Sequence, residues 1–102
     1  MNCFLLNIVD MCDIDDIKEL LDSTPEIKNW YVISRDIILV VSDSDLFNFR
    51  KTIQDLLHSK YNNLSFMIAI ISQDTIDGWM PEKVWNFINT PTDSGYWTKR
   101  EL

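Results

Sequence analysis

The sequence predicts an α+β sandwich, in which helices pack on a small antiparallel sheet. The first observation is the stretch NWYVISRDIILVVS, Asn29 to Ser42, which we interpret as two strands, Trp30–Ile33 and Ile37–Val41. Val, Ile, Trp and Tyr dominate both runs, and these residues suit a pleated surface. The second run is apolar at every position, which predicts burial on both faces and a central place in the sheet. The second observation is that amphipathic helical patterns flank this hairpin on both sides.

The composition describes one acidic globular domain. The chain has 102 residues, of which 46% are hydrophobic and 25% charged, and this is enough to bury a core without disulfides or metals. With 16 acidic and 9 basic residues, the net charge is −7. A field of that sign disfavours nucleic-acid binding and favours a basic protein partner. Only two glycines are present, which excludes a glycine-rich phosphate loop.

The cysteines and the apolar runs predict the compartment. Cys3 and Cys12 form no CxxC pair, and the opening residues lack the charged and long apolar regions of a secretory signal. No apolar run is long enough to span a membrane. We therefore expect a cytoplasmic protein, without membrane contact, that keeps two buried, reduced thiols.

The first half of the chain reads as strand, helix and hairpin. A strand is predicted over Cys3 to Val9 and is closed by Asp10. Asp13 then serves as the N-cap of a helix, which ends near Asp22 because Pro25 disfavours helical geometry in the residue before it. The apolar face of this helix is formed by Ile14, Ile17, Leu20 and Leu21.

The second half repeats helix and strand and adds a third helix. Ser44 or Asp45 caps a helix predicted over residues 45–58, and a strand is predicted over Leu64 to Ile71. Pro81 opens a short helix at a position where a missing N–H costs nothing. Its apolar side is formed by Val84, Trp85, Phe87 and Ile88, and we expect Trp85 and Phe87 to pack over strand four.

The resulting order β-α-β-β-α-β with an extra C-terminal helix fits a ferredoxin-like sandwich. Its antiparallel sheet has the strand order 4-1-3-2, with the first two helices on one face. Residues 1–91 are predicted to form this domain, and residues 92–102 a loose polar tail that includes Tyr96 and Trp97. The side chains predicted to be buried are Leu6, Ile8, Ile17, Leu20, Ile38, Val40, Ile53 and Ile68.

The fourth strand, FMIAII, is predicted to lie at an edge of the sheet although it is apolar on both faces. A bare edge of this kind is a template for aggregation, so the third helix or a second copy of the chain is expected to cover it. We therefore predict a homodimer built on this strand and on residues 78–88. Its interface residues are predicted to be Met67, Trp79 and Trp85.

The best candidate for a chemical site is an acidic cluster at the end of the first strand. Asp10, Asp13, Asp15 and Asp16 could hold Mg²⁺, which needs only one or two protein carboxylates. In that alternative, Asp10 is the catalytic residue and Asp10 and Asp13 are the metal ligands. The simpler interpretation is a helix cap with charges that complement the helix dipole, and it implies no metal, no cofactor and no catalytic residue.

The remaining reactive side chains do not form a recognisable catalytic set. His58 is the only histidine, and its place in the last turn of a helix suits the helix dipole. Trp30 and Tyr31 on the hairpin could stack on bases, but the central strands are aliphatic, unlike those of RNA-recognition modules. One histidine and two cysteines are too few for a tetrahedral zinc site.

Three motifs carry a resemblance to a known group: CFLLNIVD, NWYVISRDIILVV and GWMPEKVWNFI. They span roughly residues 3 to 88. The chain resembles small uncharacterised bacterial ferredoxin-like proteins that are similar to the small structural subunit of the CRISPR spacer-integration complex. The resemblance implies metal-dependent nuclease chemistry at Asp10. The sequence departs from that group because it lacks a surface rich in arginine and lysine.

These observations favour a non-enzymatic, homodimeric domain that acts through protein–protein contacts. The first alternative is the Mg²⁺-dependent nuclease just described. The second is an acidic inhibitor or DNA mimic that blocks a nucleic-acid-binding protein, since complementary charge steers such complexes.

Overall fold

The computed structural model describes residues 1–93 and 101, so Tyr96 and Trp97 of the predicted tail lie outside the described residues. It forms an α+β fold with a four-stranded antiparallel sheet and three helices. In chain order the elements are β1 (Asn2–Ile8), α1 (Ile14–Asp22), β2 (Ile27–Val32), β3 (Ile37–Ser42), α2 (Leu46–His58), β4 (Phe66–Ile71) and α3 (Glu82–Asn89).

The sheet has the order β2-β3-β1-β4, which is β4-β1-β3-β2 when read from its other edge. β1 and β3 occupy the centre, and every neighbouring pair is antiparallel. All residues of β3 after Ile37 are buried, which confirms the double-sided burial that its apolar run predicts. The central position follows from this pattern, because only a strand covered on both faces can bury consecutive side chains.

α1 and α2 pack on one face of the sheet. Alternate residues of the central strands, such as Phe4 and Ile38, point to this face and meet the apolar sides of both helices. The rings of Phe4 and Phe49 stack with their centroids 3.9 Å apart. The core on this face is formed by Phe4, Leu6, Ile8, Ile17, Leu21, Trp30, Val32, Ile38, Val40, Phe49, Ile53, Leu56, Leu57 and Leu64.

α3 covers the opposite face of the sheet and makes the fold three layers deep. Its Phe87 packs on Tyr31 of β2 with a centroid distance of 5.7 Å, and Val84 and Ile88 are buried beside it. The expectation that Trp85 and Phe87 pack over strand four holds only at the end of that strand, where Ile71 belongs to the same core. The middle of β4 stays exposed on this face, at Met67 and Ala69. The sequence shows which side of a helix is apolar, but it does not show which strands that side meets.

Both predicted helix caps form. The side chain of Asp13 accepts a hydrogen bond from the backbone N–H of Asp15 at 2.9 Å, and that of Asp45 accepts one from Asn48 at 2.8 Å. These bonds satisfy backbone donors that have no partner inside the helix. The sequence predicts Pro81 in the first turn of the third helix, but it lies one position earlier, as the cap residue of α3, with a non-helical ψ of 146°.

Two strand boundaries differ from the prediction by more than one residue. β2 begins at Ile27 rather than Trp30, and an irregularity between Ile27 and Asn29 lets the earlier residues pair with β3. β4 begins at Phe66 rather than Leu64, because the residues just before it are held by side chains. Ser65 donates its backbone N–H to Asp10, and the carbonyl of Leu64 bonds to His58.

Burial agrees with the predicted core except at three side chains. Leu20 and Ile68 are half-buried and pack on the rim of the core rather than inside it. Cys12 is also half-buried, because it lies in the loop between β1 and α1 and not in the strand, whereas Cys3 is buried as predicted. The other predicted core residues are buried.

The β2 edge of the sheet is paired at one point by the end of the chain. Glu101 forms an isolated parallel bridge with Val32, and its carbonyl accepts a hydrogen bond from the hydroxyl of Tyr31 at 3.2 Å. The carboxylate of Glu101 also forms an ion pair with Lys18 of α1. Among the described residues, no helix has the length and apolar character needed to cross a membrane.

Candidate functional site

β4 lies at one edge of the sheet. β4 is paired on one side with β1, from Phe66 opposite Ile8 to Ile71 opposite Cys3, and no other strand within residues 1–93 and 101 pairs with its outer side. The edge strand contains no charged residue. It therefore lacks the lysine, proline or inward charge with which proteins ordinarily protect such an edge.

Exposed apolar side chains lie on both faces of β4. Met67 is 63% exposed on the α3 face, where Ala69 is also exposed, and Ile70 is 47% exposed on the face of α1 and α2. The strand pairing sets these directions, since Met67 stands opposite Asn7 and Ile70 opposite the core residue Phe4. The edge and its two exposed flanks form a continuous apolar strip, which we call the β4 strip (residues 66–71).

The two other predicted interface residues differ in exposure. Trp79 is 98% exposed in the segment before α3, next to Gly78, whose positive φ of 155° few other residues adopt. Trp85 is half-buried, because its position on α3 faces the sheet, and it packs against the core on that face. An indole as exposed as that of Trp79 is typical of an interface, where tryptophan is enriched.

Asp10 has a structural partner at the start of β4. Its carboxylate accepts a hydrogen bond from the backbone N–H of Ser65 at 2.6 Å, and the N–H of Val9 donates to the carbonyl of Ser65 at 2.9 Å. These two bonds continue the β1–β4 pairing beyond the last paired residues. Asp10 thus ties the two strand ends together.

The other predicted acidic residues point to separate partners. Asp13 caps α1, Asp15 lies 3.5 Å from the ammonium of Lys18, and Asp16 contacts the loop after α2. Across the part of the chain that the structure describes, no group of three or more histidine, cysteine, aspartate or glutamate side chains has an arrangement that could hold a metal ion. The acidic cluster of the sequence is therefore spread over several contacts.

Asp16, Lys60 and Tyr61 join α1 to the loop before β4. The carboxylate of Asp16 lies 2.8 Å from the Lys60 ammonium and accepts a hydrogen bond from the Tyr61 hydroxyl at 2.7 Å. The same hydroxyl accepts the backbone N–H of Asp13 at 3.1 Å. No sequence motif marks this cluster, because Asp16 lies more than forty positions before Lys60 and Tyr61.

This cluster shifts the pKa values of its members. The hydrogen bond from Lys60, with a second from Tyr61, lowers the pKa of Asp16, and the same contact raises the pKa of Lys60. The N–H of Asp13 lowers the pKa of Tyr61, but the bond to Asp16 and desolvation outweigh it and raise that pKa. The lowered pKa of Asp16 means that its contribution to stability is present at neutral pH and is lost as the pH falls through that value.

His58 has a structural contact that the helix-dipole interpretation did not include. Its Nε2 lies 3.1 Å from the carbonyl oxygen of Leu64, so the protonated nitrogen donates to that oxygen. The ring also meets the edge of Phe66 at a centroid distance of 6.5 Å. His58 thus links the end of α2 to the start of β4.

The two thiols are unpaired and their environments suppress thiolate formation. Burial raises the pKa of Cys3 to about 12. Desolvation and the nearby carboxylates of Asp36 and Asp13 raise the pKa of Cys12. The thiolate is the reactive form of cysteine, and electropositive surroundings favour it in catalytic thiols. Neither Cys3 nor Cys12 has such surroundings.

The hairpin aromatics are part of the two cores and are not a stacking platform. Trp30 is 7% exposed, and its indole N–H donates to Asp22 at the end of α1 at 2.7 Å. Tyr31 is fully buried on the other face against Phe87. Base stacking of the kind used by RNA-recognition modules needs exposed rings on the sheet, which these two residues do not provide.

An apolar cavity between α3 and the sheet was not anticipated from the sequence. Its walls come from β1, β3, the β2–β3 link, α3 and the segment before α3. Ile76 and Met80 contribute from a stretch that reads as a polar loop, and Asp77 is the one charged residue in the lining. In the sequence, the only sign of this cavity is that Ile76 and Met80 are apolar residues in an otherwise polar stretch, and their spacing fits neither a helix nor a strand.

Comparison of the chain with protein-family models, with curated proteins and with solved structures finds no match in any of the three. The resemblance to the CRISPR-related group therefore stays a prediction.

Replacing Asp10 by alanine tests whether this carboxylate is catalytic or structural. We expect a loss of about 1 kcal/mol in the free energy of unfolding, because the bond to Ser65 is lost at an exposed position. We also expect that Mg²⁺ or Mn²⁺ shifts the melting temperature of neither form. Incubation with RNA and DNA should give the same background for both proteins. Metal-dependent cleavage by the wild type that disappears in Asp10→Ala would establish the nuclease alternative instead.

Proposed function

We propose that this chain is a non-enzymatic, ferredoxin-like interaction domain that forms a homodimer through the β4 strip. The βαββαβ order and the placement of α1 and α2 on one face support the ferredoxin-like assignment. The observation that carries the function is the uncharged, unpaired edge of β4 with exposed apolar side chains on both faces. Its two free thiols suit a reducing compartment, so the proposal places it in the cytoplasm.

A strand is the partner that this edge fits. Antiparallel pairing with a second strand satisfies the outward N–H and C=O groups of β4 and covers Met67 and Ile70 at the same time. The opposite edge of the sheet is less available, because Glu101 already pairs with Val32 there. The fold thus offers one long edge for addition of a strand.

A second copy of β4 is favoured over an unrelated strand. A two-fold axis at the strip pairs β4 with itself in antiparallel orientation, and such a self-complementary contact needs only one sequence. The net charge of −7 opposes self-association in general, but the strip contributes no charge to that repulsion. In the proposed dimer, the exposed Trp79 lies near the rim of the interface.

The acidic surface favours a further, basic protein partner. In the part of the chain that the structure describes, every aspartate and glutamate apart from Asp16 and Glu101 is exposed. Such a surface steers basic proteins toward the domain and repels nucleic acid. If the basic partner is a nucleic-acid-binding protein, the acidic surface would inhibit it by occupying its nucleic-acid site.

Replacing Met67 by lysine is expected to convert the dimer to a monomer. The substitution places a charge from each copy near the two-fold axis, and edge lysines are the device by which natural sheets prevent strand addition. Light scattering should report a mass near the 12.0 kDa of one chain for the variant, and about twice that value for the wild type.

Met11→Lys is the matched control, because Met11 is 91% exposed and lies outside the strip. It adds the same charge and should leave the mass of the dimer unchanged. If Met67→Lys remains dimeric, or if both variants dissociate equally, the dimer does not depend on the β4 strip.

A further inference from the structure

The backbone groups of β4 alternate between β1 and the open edge. Val9 donates its N–H to the carbonyl of Ser65 at 2.9 Å, and Ser65 donates its own N–H to Asp10, so the backbone groups of Ser65 point toward β1. Successive residues of a strand direct these groups to opposite sides, and the register between β1 and β4 continues without a bulge. The N–H and C=O groups that face the open edge are therefore those of Phe66, Ile68 and Ile70.

Hydrogen bonds within the chain limit this open edge at both ends. The carbonyl oxygen of Leu64 lies 3.1 Å from Nε2 of His58. The N–H of Ser72 donates to the hydroxyl of Thr75 at 2.8 Å, and the carbonyl of Ser72 accepts the N–H of Thr75 at 3.1 Å. Among the described residues, no backbone group bonds to the three outward residues between these ends. The free part of the edge is thus centred on Ile68.

We infer that β4 pairs with a second copy of itself about a two-fold axis at Ile68, an inference that rests on the proposed function. In this register Ile68 stands opposite Ile68 of the partner subunit, and Phe66 stands opposite Ile70 of the partner subunit. Each outward N–H then meets an outward C=O, so every free group of the edge is paired.

Other positions of the axis pair the edge less completely. An axis one residue earlier would place Ile70 opposite Leu64, and an axis one residue later would place Phe66 opposite Ser72. The backbone groups of Leu64 and Ser72 already have partners within the chain. An axis between two residues would set outward groups opposite inward ones, which cannot form an antiparallel ladder.

The side chains of the β4 strip fit the same axis. On the α3 face, the exposed Met67 stands opposite the exposed Ala69 of the partner subunit, so a long side chain lies beside a short one. This pair is not hydrogen-bonded, and side chains of such pairs lie close together, with Cβ atoms about 4.5–5.5 Å apart. On the other face, Phe66 and Ile68 already pack against the core of α1 and α2, and the partner strand extends that apolar layer.

Disulfide cross-linking between introduced cysteines tests the register. Met67→Cys and Ala69→Cys are prepared separately, each with Cys12→Ser, so that the buried Cys3 is the remaining native thiol. In either variant alone, the two introduced cysteines are diagonal neighbours about 7–8 Å apart, beyond the usual reach of a disulfide. In an equal mixture, unlike cysteines stand directly opposite. After mild oxidation we expect a covalent dimer of one copy of each variant from the mixture, and little from either variant alone.

Light scattering of the same samples under reducing conditions separates the register from the dimer itself. Efficient cross-linking of Met67→Cys alone or of Ala69→Cys alone would place the axis at that residue and overturn the inference. A mass of about twice the 12.0 kDa of one chain without a cross-link in any sample would also overturn it, and would leave the proposed dimer standing. A wild-type protein with the mass of one chain would overturn both.

Hydrogen exchange of the unmodified chain provides a second measurement that needs no variant. The amide groups of Phe66, Ile68 and Ile70 should all gain protection as the protein concentration rises, because each acquires a partner in the dimer. Protection that omits Ile70 would place the axis at Met67, and protection that omits Phe66 would place it at Ala69. Either result would overturn the inference.

Discussion

Ile38→Ala is expected to lower the free energy of unfolding by about 2–5 kcal/mol, as for other well-packed aliphatic residues. Ile38 is fully buried on β3, between Leu6 of β1 and Val32 of β2 in the strand pairing. Removing its side chain leaves a cavity where both central strands meet the helices. Equilibrium denaturant titration measures the loss as a lower midpoint with an unchanged slope.

Val9→Ala is the matched control for this substitution. Val9 follows β1 directly and is 60% exposed, so its truncation should change the stability by less than about 1 kcal/mol. A loss below about 1 kcal/mol for Ile38→Ala itself would show that the hairpin is not the centre of the fold.

Phe87→Ala is expected to cost about 3–5 kcal/mol, the usual range for a buried phenylalanine. Phe87 is 1% exposed and its ring packs on Tyr31, so its loss removes a buried aromatic contact between α3 and the sheet. Thermal and denaturant unfolding measure the loss, and near-ultraviolet circular dichroism reports the change around Tyr31.

The neighbouring Asn86 provides the control, because it is exposed on the same helix. Asn86→Ala should be nearly neutral, since it removes no buried contact. Equal effects of the two substitutions would mean that α3 is not a third layer of the fold. The cavity beside α3 would then lose one of its walls as well.

The elements could be predicted from the sequence because local chemistry determines them. The apolar run of β3, the caps Asp13 and Asp45, and Pro81 before α3 each act within a few residues of their own position. Boundaries were less accurate where distant residues decide them. β4 starts at Phe66 because Asp10 and His58 hold the two residues before it, and both partners come from other elements.

The arrangement of layers and the cavity could not be predicted in the same way. The pattern of α3 identifies its apolar side, but not that this side joins a core with side chains from all four strands, on the face that α1 and α2 leave open. The walls of the cavity come from five separate stretches of the chain, so no local motif contains them. Of the three predicted interface residues, Met67 and Trp79 are exposed, whereas Trp85 is half-buried against the core under α3.

The acidic residues after β1 are close in sequence and suggest a metal site, but in the structure their side chains bind separate partners. Asp10, Asp13 and Asp16 are close in sequence, but a strand end, a helix cap and an ion pair each engage one of them. Helix start sites attract acidic residues for electrostatic reasons alone. A cluster beside a predicted N-cap therefore needs the positions of its side chains before chemistry can be assigned to it.

The mass of the wild-type protein in solution tests the proposed function most directly. Light scattering over a concentration series should give about twice the 12.0 kDa of one chain at micromolar concentration. Hydrogen exchange at the same concentrations should show protection of the amide groups of β4, because strand addition satisfies its outward N–H groups. A mass of one chain that persists at high concentration, with β4 amides that exchange freely, would contradict the proposal.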